Sequence, residues 1–137
     1  MKRSTFNYIA DIIREYPTID EYIHRREQEL MYKYQEFKDE NVGGGSALNK
    51  RDESVAELAI TVAEDRRLNN LRRNERVVRE SLVESDAITK DIIYELYTRE
   101  NCVYTLEGLA QKAHLSLAAV KKRRLRFFEK VAEKLGL

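Results

Sequence analysis

The sequence predicts an all-α protein: an N-terminal helical arm leading to a C-terminal helix-turn-helix. Three observations carry that expectation. Charged residues make up 36% of the 137-residue chain and hydrophobic ones 42%, with one proline and no tryptophan, a Glu-, Lys-, Arg-, Leu- and Ala-rich mixture that favours helices. Apolar residues recur at three- and four-residue spacing along most of the chain, and no stretch reads as a strand. The charge is unevenly spread: from Thr105 onward there are eight Lys/Arg against three Glu, whereas the first 104 residues hold 17 basic and 21 acidic side chains. A basic end on a slightly acidic body is the footprint of a C-terminal DNA-binding unit, which the net charge of +1 alone would not reveal.

Residues 5–16 carry Phe6, Ile9, Ile13 and Tyr16 at helical spacing and form a short first helix. Pro17 ends it, because a proline pushes the residue before it out of the α region. Thr18-Ile-Asp-Glu21 is a capping box that opens the next helix, to about residue 37, which is expected to bury Ile19, Tyr22, Ile23, Leu30, Tyr34 and Phe37. Asp39-Glu-Asn-Val-Gly-Gly-Gly45 then breaks the pattern, since three glycines lose too much backbone entropy to stay helical. It reads either as a flexible linker or as a defined turn where the backbone approaches a partner. With no Lys-Ser/Thr pair after it and no apolar strand before it, the run is not a phosphate-binding loop.

Ser54-Val-Ala-Glu57 is a second capping box, opening a long helical tract over residues 54–83. Val55, Leu58, Ala59 and Val62 form its first stripe; Leu71, Val78 and Leu82 form its last. Between them Glu64-Asp-Arg-Arg-Leu-Asn-Asn70 is poor in apolar residues, so the helix there either crosses solvent or breaks. Arg72, Arg73, Arg76 and Arg79 read first as a solvated face and second as phosphate contacts. Ser85-Asp86 caps a helix over residues 87–100 that turns Ile88, Ile92, Ile93, Leu96 and Tyr97 inward. The expected organisation is 1–40 as a helical region, 41–53 as a Gly-rich connection, 54–84 as a long central helix and 85–137 as the DNA-binding domain.

In that last segment Thr105 caps a short helix, and Ser116 caps a longer one that stops at Gly136. Ala110 lies where the two helices pass closely, with Leu115 and Val120 plugging the space between them. His114 takes the turn position that a glycine would fill most easily, and so must accept a left-handed or bridging conformation. A pair of this kind presents its second helix to the DNA major groove. On a 100° helical wheel Val120, Phe127, Phe128, Val131 and Leu135 share one side. Ala118, Lys122, Arg126 and Glu129 lie opposite, with Ala119 and Arg123 on a flank and Lys121 nearer the apolar border. The alanines permit close approach while the cations reach phosphates and guanine edges, so Ser116, Ala118, Ala119, Lys121, Lys122, Arg123 and Arg126 are the candidate DNA-binding residues. Arg124 points into the apolar side; its stem should pack on the core while its head finds a carboxylate, Glu107 or Glu95.

Leu109-Ala110, Leu115-Ser116, Val120-Lys121 and Arg123, preceded by Ile92-Ile93-Tyr94-Glu95-Leu96-Tyr97, resemble region 4 of sigma-70-type factors. Other segments resemble the RinA/ArpU family of phage late-gene transcriptional activators: Tyr16-Pro17, Asp39-Glu-Asn-Val-Gly-Gly-Gly45, Asp65 with Leu68 and Leu71, Thr105-Leu-Glu-Gly-Leu-Ala110 and Ala132-Glu-Lys-Leu-Gly-Leu137. The resemblance runs through most of the chain in order. It implies a sigma-region-4-like fold for the C-terminal unit. It also implies activation of phage or prophage packaging and structural genes by binding promoter DNA, with host RNA polymerase as a candidate further partner.

No Ser/His/Asp or Cys/His arrangement and no nucleotide loop is present, so no enzyme, catalytic residue or cofactor is expected. Cys102 is the only cysteine and there are two histidines, too few ligands for an ordinary zinc site and none for an internal disulfide. No apolar run nears the roughly 20 residues of a membrane span and the first residues do not read as a signal peptide, so a cytoplasmic protein in a bacterial host is expected. Long helices with wide apolar faces point to a homodimer. The alternatives are a phage small terminase subunit and a sigma-like adaptor that binds only polymerase; the C-terminal position of the basic unit argues against the first.

Overall fold

The computed structural model describes the backbone of residues 1–40 and 47–137, and the side chains there other than Tyr34 and residues 36–54. It is all-α, with no strand among the described residues. Helix α1 spans Arg3–Glu15 and passes through a 3₁₀ turn, Tyr16–Thr18, to α2, Ile19–Glu40. Then follow α3 (Ala47–Glu64), α4 (Arg66–Val83), α5 (Ala87–Ile93) with a π-helical turn (Tyr94–Thr98), α6 (Leu106–Lys112) and α7 (Leu117–Leu135). No described helix is long and apolar enough to cross a membrane. The glycine run 43–45 lies outside the described residues, as do the side chains of Tyr34 and Phe37.

The chain divides into two compact units, one of Met1–Thr18 with Arg73–Leu137 and one of Ile19–Arg72. The linear segments expected from sequence do not coincide with them, because α1 shares its core with helices more than sixty residues away. Ile9, Ile13, Val77, Val78, Ile93, Phe127, Phe128 and Val131 form one buried cluster. At its centre the Phe128 ring lies 4.5 Å from that of Phe6 and 5.4 Å from that of Tyr97, within the range of favourable aromatic pairs. Ile92, Leu109, Ala110 and Val120 form a second cluster under α6 and α7, with Leu115 packed against it, as the spacing predicts.

In the unit of Ile19–Arg72, α2 packs on α3, and Ile19, Leu30 and Leu68 are buried. The helical tract breaks at Asp65, inside the apolar-poor stretch 64–70 where the sequence left a break or a solvent crossing open. That residue caps α4 by accepting the Leu68 N–H at 2.8 Å, while Asn69 Nδ2 donates to the Ala63 carbonyl at 2.8 Å and so satisfies an end group of α3.

Several expectations need correction. Ser54 is inside α3, which starts seven residues earlier at Ala47, so residues 47–53 belong to a helix rather than to a connection. The Thr18 hydroxyl donates back to the Glu15 carbonyl at 3.3 Å instead of capping α2. Tyr22 and Ile88 are exposed, and so is the α3 stripe at Val55 (69% exposed) and Ala59. Periodicity locates an apolar stripe but does not supply the surface that covers it.

Candidate nucleic-acid interface

The α6–α7 pair is shaped by local chemistry at each end. Thr105 Oγ1 accepts the Gly108 N–H at 3.0 Å and starts α6. The helix ends in a Schellman motif: the Leu115 N–H reaches the Ala110 carbonyl at 3.0 Å and the His114 N–H reaches that of Gln111 at 3.3 Å. That geometry demands a left-handed residue after the cap, and His114 supplies it at φ 56°. Leu115 then folds onto the second cluster. Ser116 Oγ accepts the Ala119 N–H at 3.1 Å and launches α7. A second left-handed position, Gly136 at φ 77°, closes α7.

Helix α7 is anchored by Val120, Phe127, Phe128, Val131 and Ala132, all buried. Ala118, Lys121, Lys122 and Arg126 are exposed; Ala119 is half-buried. Ser116 is exposed, but its hydroxyl is engaged in the cap. Among the described residues Lys121, Lys122 and Arg126 form no ion pair, whereas Arg123, Lys130 and Lys134 are ion-paired and Arg124 packs over the Phe6 ring. Lys130 pairs with Glu84 at 3.4 Å, and Lys134 reaches Glu84 at 2.8 Å and Glu80 at 3.5 Å. The hydrogen bond from Lys134 is the first cause holding the Glu84 carboxyl below its ordinary range.

Arg123, a candidate phosphate contact, donates from Nη1 to Asp86 Oδ2 at 2.7 Å. Asp86 is at the same time the cap of α5, its Oδ1 accepting the Thr89 N–H at 2.8 Å. The Thr89 hydroxyl and amide, and then Arg123, hold its carboxyl at about 2. Beside this pair is a groove of about 200 Å³ lined by Glu84, Asp86, Thr89, Arg123, Arg126 and Lys130 among others. Sequence reasoning missed the acidic flank of Glu80, Glu84 and Asp86. Its signal was available: Glu80 and Glu84 stand one helical turn apart, as do Lys130 and Lys134.

Arg124 packs inward as expected, but its head does not find a carboxylate. Its guanidinium lies 5.1 Å from the centre of the Phe6 ring, and Nη1 makes a long 3.4 Å contact to the Tyr97 hydroxyl. Glu95 is taken elsewhere: it accepts from Arg99 at 2.8 Å and Lys112 at 3.2 Å. The hydrogen bond from Arg99, against the cost of burial and helped by Lys112, keeps the Glu95 carboxyl below its ordinary range. The buried carboxylate thereby ties α6 to the π-helical turn, and Lys112 also lies over the Tyr104 ring at 4.8 Å.

The chain is thus an all-α protein whose C-terminal helix pair offers exposed cations that form no ion pair among the described residues, on a helix anchored by five buried side chains. It belongs to the family described as proteins of unknown function, DUF722, whose model matches residues 6–133. No curated protein and no solved structure matches it.

Proposed function

We propose that the protein binds double-stranded DNA through the first half of α7 and regulates transcription, as an activator of phage or prophage late genes. One observation carries the DNA-binding reading. Lys121, Lys122 and Arg126 are exposed and without ion partners among the described residues; Lys122 and Arg126 lie on the side of α7 opposite the residues that anchor it, and Lys121 nearer the apolar border. The small side chains of Ala118 and Ala119 stand beside them and let the helix come close to a groove floor. Lysine and arginine there supply phosphate contacts for positioning and, for Arg126, a fork that fits a guanine edge. A helix held by five buried side chains keeps such contacts in register.

The assignment to late-gene activation rests on the resemblance to the RinA/ArpU family, and so does the host cytoplasm as the place of action. In this reading promoter DNA is the first partner and host RNA polymerase a second. A second copy of the chain is the third, supported by the exposed apolar positions Val55 and Ile60 of α3.

The test is fluorescence anisotropy with a duplex from the promoter region upstream of neighbouring late genes and with an unrelated duplex. The Lys122→Ala/Arg126→Ala variant should bind the promoter duplex at least about tenfold more weakly, since each lost base contact is worth roughly 1–3 kcal/mol. Undiminished binding by that variant removes α7 as the DNA surface.

A further inference from the structure

Asp86 sits where a DNA-binding surface would least be expected to place a carboxylate. One oxygen is committed to the cap of α5 and the other to Arg123. The pair is superficial, with 58% of the Asp86 side chain and 31% of the Arg123 side chain exposed, so water and ions reach it and it is exchangeable. Arg123 and Arg126 are three residues apart on one helix, hence neighbours, and both line the same groove. The two carboxylates of that groove are already matched: Glu84 by Lys130 and Lys134, Asp86 by Arg123. Among the described residues Arg126 is left as its uncompensated charge. An anion drawn to Arg126 therefore arrives within reach of Arg123 and competes with Asp86 for it.

We infer that Asp86 is a built-in competitor of the DNA phosphate: it neutralises Arg123 and so limits how tightly the protein holds DNA of any sequence. The inference rests on the DNA-binding reading of α7 and names the residue that tunes it. The role suits a regulator that must release non-cognate DNA, because phosphate contacts strengthen all sequences alike and only base contacts discriminate. Capping alone does not require the charge, since Asn and Ser serve at this position as well as Asp.

That equivalence supplies the test. Asp86→Asn keeps a capping oxygen and removes the charge, and Asp86→Ser does the same with a different side chain. Binding of the full chain to a non-cognate duplex is measured by anisotropy between 50 and 200 mM salt, alongside Arg123→Ala and the Asp86→Asn/Arg123→Ala double variant, with circular dichroism to show that each is folded. Both charge-removing variants should bind several-fold more tightly than the parent and steepen the slope of log affinity against log salt by about 0.9, the increment for one more phosphate contact. In the Arg123→Ala background the same change at Asp86 should have little effect. An unchanged slope, or a gain that persists in full without Arg123, overturns the inference, the second because Asp86 would then merely repel DNA. Failure of the parent and of the charge-removing variants to bind any duplex would instead overturn the DNA-binding reading and this inference with it.

Discussion

Arg26 grips Asp65 with two hydrogen bonds, Nε to Oδ2 at 3.0 Å and Nη2 to Oδ1 at 2.7 Å, thirty-nine residues away along the chain. The planar guanidinium matches the carboxylate fork, and both side chains are mostly buried. Because Asp65 also caps α4, one carboxylate both ends a helical break and ties that break to α2. Asp65→Ala should lose the cap and the bridge together, lowering stability in urea denaturation by at least the roughly 1–2 kcal/mol of a lost cap. Asp65→Asn should be milder, because it can still accept the Leu68 N–H. Arg26→Lys keeps the charge but not the fork, so it should destabilise measurably while leaving the α4 cap in place. Equal stability of the Asp65→Ala variant and the parent would show that the break is held by something other than Asp65.

The same residue gives the chain an acid limit. Hydrogen bonds from Arg26 and then from the Leu68 N–H hold the Asp65 carboxyl at about 2, and Asp86 is held at about 2 by Thr89 and Arg123. An aspartate in the unfolded chain titrates near roughly 3.9. A carboxyl depressed on folding contributes its full stabilisation above the unfolded value and loses it as pH falls through the folded one. The melting temperature should therefore be flat with respect to these groups above about pH 5 and decline between about pH 4 and 2. Replacing Asp65 by Asn should lower the starting value and flatten part of that decline. Parallel curves for the variant and the parent would mean that Asp65 is not a linked group.

Much of this arrangement was legible in the sequence where the cause is local. Asp86, Thr105, Ser116 and Gly136 occupy the helix ends assigned to them, since a cap needs only a hydroxyl or carboxylate and an N–H two or three residues on, or a residue at ease with positive φ. The inward set of α7 was legible too, because five apolar residues define one face unambiguously. Arg124 was half legible: the wheel places its stem, but its neighbours Phe6 and Tyr97 come from elements 118 and 27 residues away. The ion partner of Arg123 was not legible for the same reason. Nothing adjacent in sequence announces Asp86 as its partner, thirty-seven residues upstream. Capping boxes at Thr18 and Ser54 were over-read: the first hydroxyl turns back to Glu15, and the second belongs to a residue within a helix that had already begun.

The packing of α1 against distant helices carries its own prediction. Ile13 is fully buried in the cluster that also holds Phe128, Val131 and Val78. Ile13→Ala should cost about 2–5 kcal/mol and Phe128→Ala about 3–5 kcal/mol, each through lost transfer energy and an incompletely collapsed cavity. If α1 and α7 melt as one cooperative body, both variants lower the urea midpoint with little change in the slope of the transition. A separate early transition in the Ile13→Ala variant, with the rest of the helical signal retained, would show that α1 is an independent addition to the core.

The turn between α6 and α7 tests how much strain the helix pair tolerates. His114 holds φ 56° because the Schellman bonds from its own N–H and from that of Leu115 leave the chain no right-handed alternative. For a residue with a Cβ that conformation costs roughly 1–2 kcal/mol. Glycine removes the strain but gives the unfolded chain more freedom, an opposing contribution of about 0.5–1 kcal/mol. His114→Gly should therefore stabilise the protein by a few tenths to about 1 kcal/mol, seen as a small rise in melting temperature. His114→Val should destabilise it by more than that, since a β-branched residue fits the left-handed region worst. Because His114 is exposed and forms no part of either apolar cluster, these changes report on backbone strain rather than on packing. A glycine variant less stable than the parent would mean that the histidine side chain contributes a contact that outweighs the strain of its backbone.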